Sequence, residues 1–178
     1  MPVTVRTAGS ADAAQLAEVA AITFPLACPP GSTAEAQAAF IADVLSEACF
    51  AEYLADRGRI VLVAEEEADR TILGYTMLVF LESRDPDVLT SLRIHPTAEL
   101  SKCYVLPGQH GTGVAGALMT ASLEAARQRG AAGIWLGVNE ENTRAHRFYL
   151  KHGFERVGTK HFRLGDNVEG DFVMEREL

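Results

Sequence analysis

The stretch Leu106-Pro107-Gly108-Gln109-His110-Gly111-Thr112-Gly113-Val114-Ala115-Gly116 decides how this chain folds, because one kind of structure ends in it and another begins. Upstream, residues 100–106 read as a strand, and Pro107-Gly108 stops it. Downstream, Val114, Leu118, Ala121 and Ala125 step by four, three and four, Arg127 and Arg129 suit a last turn, and Gly130 closes a helix over 113–129. Gly111 and Gly113 carry no side chain. The backbone can therefore bend sharply and aim successive N–H groups at one point, at the positive end of the helix. An anionic phosphate needs that arrangement. A nucleotide triphosphatase loop is excluded, because no lysine follows these glycines. Residues 111–116 do spell GxGxxG, but no other part of a dinucleotide-binding half surrounds them, so the match alone is weak.

Working outward, residues 133–138 form a short apolar strand and 142–152 a second helix, so the segment reads strand, helix, strand, helix. That order implies two parallel strands joined by a right-handed crossover. Residues 155–163 and 168–175 flank a Gly165-Asp166-Asn167 turn and read as a closing hairpin. Towards the amino terminus, residues 3–6 have strand character and a helix opens at Ser10 with Asp12 in its first turn. Residues 24–31 hold the prolines and read as a loop. Ser32 and Glu35 fit a capping box before a helix carrying Phe40, Ile41, Val44 and Leu45, and 50–55 is a short helical piece. Strands over 59–64 and 72–80 form an antiparallel pair around a polar turn, and 82–97 is a polar connection. The sum is one domain over 1–178 with an α/β (α+β mixed) fold: a mixed sheet covered by helices.

Composition narrows the function. With 178 residues, 48% of them hydrophobic, the chain can bury one adequate core. A formal net charge of −8 leaves no basic surface for tracking nucleic acid. The longest apolar runs fall well short of the roughly 20 residues a membrane span requires, and no signal-like amino terminus appears, so the reading is cytoplasmic. Cys28, Cys49 and Cys103 form no CxxC pair, and His95, His110, His146, His152 and His161 lack metal-ligand spacing. No metal is expected. The sequence is silent on oligomeric state, and a homodimer enters only as the commonest soluble assembly.

A second constellation sits in the last helix. Asn142 is a good N-cap, Lys151, His152 and Gly153 close the helix, and Asn142 and Tyr149 lie seven residues apart, on one side of it. The run Asn142-Thr143-Arg144-Ala145-His146-Arg147-Phe148-Tyr149-Leu150-Lys151-His152-Gly153-Phe154 resembles the Asn-x-x-Ala-x-x-Phe-Tyr-x-x-x-Gly-Phe signature of the GCN5-related N-acetyltransferases, or GNAT superfamily. The glycine turn resembles that family's Gln/Arg-x-x-Gly-x-Gly/Ala loop, with His110 where Gln or Arg is usual, Gly113 at the glycine and Ala115 at the last position. More loosely, Thr23-Phe24, residues 135–138, residues 161–166 and Asp171 are similar to PaiA-type polyamine acetyltransferases.

What the resemblance implies is specific. The sheet should have six to seven strands with helices on both faces. Acetyl-CoA should be the cosubstrate, its pyrophosphate held by His110, Gly111, Thr112, Gly113, Val114 and Ala115, and its pantetheine arm along Cys103, Tyr104 and Val105 with Asn142 at its side. Backbone groups of Val105 would bond the arm, and the Cys103 N–H would face the thioester oxygen. Tyr149 would be the general acid near the sulfur, and Glu99, at the start of the strand, the base that draws a proton from the amine. The acceptor would be a small amine, a polyamine among the candidates, in a pocket built from residues 24–32 and 163–170. A silent acyl-CoA-binding sensor is the rival from another class, and a dinucleotide oxidoreductase a third reading.

Overall fold

A computed structural model describes residues 2–178. Seven strands form one mixed sheet in the order β1-β2-β3-β4-β5-β7-β6: β1 (Val3–Thr7), β2 (Arg59–Glu66), β3 (Ile72–Val79), β4 (Thr97–Val105), β5 (Gly133–Asn139), β6 (Glu155–Leu164) and β7 (Asn167–Glu177). Every neighbouring pair is antiparallel except β4 and β5. Six α-helices accompany them, α1 (Ala13–Ala27), α2 (Ala34–Val44), α3 (Glu47–Ala55), α4 (Pro86–Ser91), α5 (Val114–Gln128) and α6 (Thr143–Lys151), with a 3-10 turn over Ser10–Asp12 leading into α1. No helix among the described residues is long and apolar enough to cross a membrane.

Side-chain alternation along the strands divides the molecule into two layers. On one face Val61, Val63, Tyr75, Met77 and Val79 pack against Leu16, Val19, Ala20 and Phe24 of α1 and Phe50 of α3. On the other, Leu78, Ala98, Leu100, Ile134 and Leu136 meet Met119, Leu123 and Ala126 of α5. Each Val, Leu, Ile, Phe or Met among these contributes roughly 1.5–3 kcal/mol on burial. Ser122, the one polar residue on the buried stripe of α5, is satisfied by Thr76 at 2.8 Å and by the Leu118 carbonyl at 2.7 Å.

Local chemistry moves several expected boundaries. α1 runs on through Pro25 to Ala27, so half of the expected loop at 24–31 is helix, and Phe24 is buried against the sheet. The cap of α2 is Thr33, whose hydroxyl accepts from the Ala36 N–H at 3.1 Å. Ser32 is occupied elsewhere, donating to the Pro29 carbonyl and accepting from Gln37. α3 starts three residues early, on a Ser46 cap that accepts from Cys49 N–H. The polar connection contains α4, opened by Asp85 before Pro86, a cap and first-turn proline that the sequence does display. β4 begins at Thr97, which puts Glu99 inside the strand and not at its start.

Candidate active site

β4 and β5 are paired at only three positions, Thr97 with Gly133, Ala98 with Ile134 and Glu99 with Trp135. β4 nevertheless continues to Val105 and β5 to Asn139, so the two strands part and leave a fork in the sheet. A cleft of about 800 Å³ occupies this fork. Alternation, reset by the bulge that pairs Met77 with Lys102 but Leu78 with Leu100, sends Glu99, Lys102 and Tyr104 to the α1 face and Cys103 and Val105 to the α5 face, and four of the five packing partners agree: Tyr104 joins the α1-side core, Cys103 and Val105 the α5-side cores, and Glu99 lies opposite Val79. The cleft therefore passes through the sheet. Leu106 N–H donates to the Leu73 carbonyl at 2.8 Å, on the β3 side, so the main-chain groups of Val105 and Cys103 turn the other way, into the fork.

At the α5 end of the cleft lies the glycine turn. Gly108, Gly111 and Gly113 hold φ of 89°, 80° and 92°, a region that side chains other than glycine's resist. Gln109 N–H donates to the Leu106 carbonyl, Thr112 N–H to the Gln109 carbonyl, and the first helical bond runs from Ala117 N–H to the Gly113 carbonyl at 2.9 Å. The N–H groups of His110, Gly111, Gly113, Val114, Ala115 and Gly116 have no acceptor among the described residues. They gather at the start of a 15-residue helix, an anion site by both hydrogen bonding and dipole. Thr112 differs from the rest of the expected set: its N–H and hydroxyl are both spent on the Gln109 carbonyl.

The cationic side chain at this end was not anticipated. Burial, and then the nearby Arg144, hold the His110 imidazole below its usual range, so at neutral pH it is uncharged. Arg144, in the first turn of α6, lines the same part of the cleft. Its position, two residues past the Asn142 cap, was the available signal. Asn142 Oδ1 accepts from Ala145 N–H at 3.1 Å, which leaves its NH₂ for the cleft.

Deeper in, α6 lays Ala145, Phe148 and Tyr149 against the sheet. The Tyr149 ring is pinned edge-on by Phe148 at 5.5 Å and by Phe154 at 5.8 Å, with Cys103 beside its hydroxyl. Burial, with Cys103 and Tyr104 adding to it, drives the phenol well above its ordinary value, and burial pushes the Cys103 thiol up to about 12. Both stay protonated at neutral pH. Tyr149 can donate a proton, and Cys103, half-buried on the cleft wall and not sealed in the core, is no nucleophile.

The α1 face of the cleft is aromatic and charged. Phe24 stacks on Phe40 at 4.4 Å, and Phe162 meets Phe40 edge-on at 5.7 Å. Glu99 is raised by burial, against the pull of Lys160, Lys102 and Arg59. Trp135 is buried beneath this face with Val88, Leu92 and Val173, as core. The expected pocket segment 163–170 contributes only Leu164; Lys160, Phe162 and Asp171, just outside it, line the cleft instead. The hairpin tip is spent on packing: a Cβ on Gly165 would lie 2.9 Å from that of Ala36. No group of three or more His, Cys, Asp or Glu among the described residues could hold a metal ion.

A family model described as the acetyltransferase (GNAT) family matches residues 26–154, which include the turn, the fork and the whole Asn142–Phe154 signature. The chain belongs to that family. An uncharacterized N-acetyltransferase of Mycobacterium tuberculosis (strain ATCC 25618 / H37Rv) is 51% identical over 167 residues, 94% of this chain and 98% of the relative. Among solved structures, the fold of the PaiA N-acetyltransferase of Thermoplasma acidophilum, in complex with coenzyme A, matches with a TM-score of 0.79 at 20% identity over the whole of both chains. The ribosomal-protein-S18-alanine N-acetyltransferase of Escherichia coli matches at 0.70 and 16% identity, over 99% of this chain and 94% of that one. As a GNAT acetyltransferase, the chain has the fold expected of it: seven strands in a mixed sheet with helices on both faces.

Proposed function

We propose that residues 1–178 form one catalytic domain that moves the acetyl group of acetyl-CoA to a primary amine, by direct attack in a ternary complex, with a polyamine or another small amine as acceptor. The observation that carries this reading is the cleft through the β4–β5 fork, with free N–H groups and Arg144 at its α5 end and Glu99 on its α1 face. A diphosphate fits the N–H groups of residues 110–116, and the extended pantetheine arm fits the outward-turned main chain of Cys103 and Val105. Acetyl-CoA, when bound, supplies an acetyl group activated as a thioester.

The chain's own residues do the rest. Glu99, ionised, takes the proton that the amine must lose, directly or through water. Its position on the α1 face means that the acceptor enters from the side opposite the cofactor's phosphates. The Cys103 N–H faces the carbonyl oxygen as negative charge gathers there. Tyr149 holds a proton at Oη beside Cys103 and delivers it to the departing sulfur, a role suited to a phenol that does not ionise near neutral pH. The test is release of free thiol from acetyl-CoA across a panel of primary amines, with mass spectrometry of the products. An N-acetylated amine formed with equimolar thiol is expected; tight acetyl-CoA binding with no thiol released for any amine would instead mark a silent binding module.

A further inference from the structure

Six polar or charged side chains are buried outright: Thr23, Glu65, Thr76, Ser122, Asp171 and Glu175. Five are hydrogen-bonded within the protein. Thr23 donates to the Val19 carbonyl, Thr76 and Ser122 share a bond, Glu65 accepts from Arg6, and Glu175 accepts from the Arg93 and Ile94 N–H groups. Asp171 is the exception. At 8% exposure it has no hydrogen bond among the described residues, and its nearest cation, Lys160 Nζ, stands 3.9 Å away. Its oxygens are not among the sealed, unpartnered polar atoms; they open on the cleft, where a donor from outside the protein reaches them.

The cleft is the route by which a ligand donor reaches Asp171. Asp171 lines it, and Asp171 Oδ2 lies 3.4 Å from where a Cβ on Gly137 would stand; with no side chain there, the carboxylate and Lys160 lean over the strand towards the fork. The surroundings favour a cation. Burial raises the Asp171 carboxyl, Lys160 opposes it, and the nearby Glu140 and Glu169 add to the rise, so two further carboxylates and one ammonium act on it.

We propose that Asp171 binds a second cationic nitrogen of the acceptor, distinct from the one that is acetylated. The inference rests on the amine-acetylation reading above and names the residue that selects the acceptor. The separation of the two carboxylates supports the distinction. Glu99 is on β4, level with Trp135, and Asp171 is on β7, level with Asn139, so they lie two strands or roughly 10 Å apart across the sheet and roughly 13 Å apart along it, and one nitrogen does not serve both. Phe24, Phe40 and Phe162 supply apolar walls for the methylenes between them.

The experiment compares 1,4-diaminobutane with 1-aminobutane as acceptors for wild type, Asp171→Asn and Asp171→Glu, with thermal-shift titration of the CoA-saturated proteins in parallel. Wild type is expected to prefer the diamine at least tenfold in kcat/KM. Asp171→Asn should reduce that preference at least fivefold, and Asp171→Glu, which restores the charge, should recover part of it. The diamine should raise the melting temperature of the wild-type complex more than that of the Asn variant. An unchanged preference in Asp171→Asn overturns the proposal, as does equal loss with both amines in both variants, which would mean a purely structural role. Should Asp171→Asn not fold, the rim double variant Glu140→Gln/Glu169→Gln decides: at least a twofold rise in diamine KM supports the site, none overturns it. Wild type that releases no thiol, yet is stabilised by the diamine in an Asp171-dependent way, would sink the transfer reading and leave this one standing.

Discussion

At the residue scale, the two groups proposed to handle protons owe their character to burial. Tyr149→Phe removes one oxygen and leaves the ring in its Phe148–Phe154 cage. We expect kcat to fall about 10²-fold, the scale of a lost general acid, with the Kd for CoA within about threefold of wild type; isothermal titration beside steady-state kinetics measures both, and full activity refutes the assignment. Glu99 titrates above the ordinary carboxylate range because burial outweighs Lys160, Lys102 and Arg59. As a base it works only when ionised, so kcat/KM should fall as pH drops through that raised value. In Glu99→Gln this acid limb should vanish, with a deficit of about 10² that is greatest at neutral and alkaline pH and narrows in acid. An identical acid limb in the variant would rule Glu99 out. Tyr149 was legible from a motif; the raised carboxyl of Glu99 was not, since it depends on which neighbours the fold assembles.

At the element scale, the glycine turn and α5 act as one unit. Gly113 caps the helix at φ 92°, with open space where a Cβ would go, so Gly113→Ala is penalised by backbone conformation alone, by about 1 kcal/mol. It also swings the Val114 to Gly116 N–H groups out of line. We expect KM for acetyl-CoA to rise about tenfold with kcat nearly kept. Gly116 is the control: its φ is ordinary, it too has open space, and alanine favours a helix by up to about 1 kcal/mol. Gly116→Ala should keep or raise the melting temperature, so any loss of acetyl-CoA affinity there reports the methyl group's intrusion on the ligand. Equal destabilisation in both variants would contradict the conformational account. The turn was readable because glycine's freedom is a property of the residue. Asp85-Pro86 was equally readable as a helix start, yet the polar composition around it masked it, and Ser46 would have set the start of α3 three residues earlier.

At the scale of the whole molecule, one ion cluster ties the first strand to the second and to the entry of α1. Arg6 reaches Asp12 at 2.8 Å and Glu65 at 2.7 Å, and Glu65 is only 5% exposed. Hydrogen bonds from Arg6 hold both carboxyls below their usual values, so this stability is present above about pH 4 and lost as pH falls through the depressed values. Arg6→Met should cost about 2 kcal/mol at pH 7, because Glu65 keeps only Arg70, and should flatten the decline of stability below pH 4; urea unfolding at pH 7 and pH 3 measures it, and a variant as acid-labile as wild type would contradict the cluster's role. The sequence by itself determined the order of the strands and of every helix but α4, the phosphate turn and the capped helix behind it, because these follow from periodicity, capping and glycine, all local in the chain. Tertiary structure alone decided how far β4 and β5 stay paired, that Arg144 and not His110 is the charged group beside the turn, and that the Asp171 carboxylate faces the cleft with no hydrogen bond inside the protein. Those facts arise where distant segments meet, and burial and field at such a place are sums over neighbours that no single stretch of sequence contains.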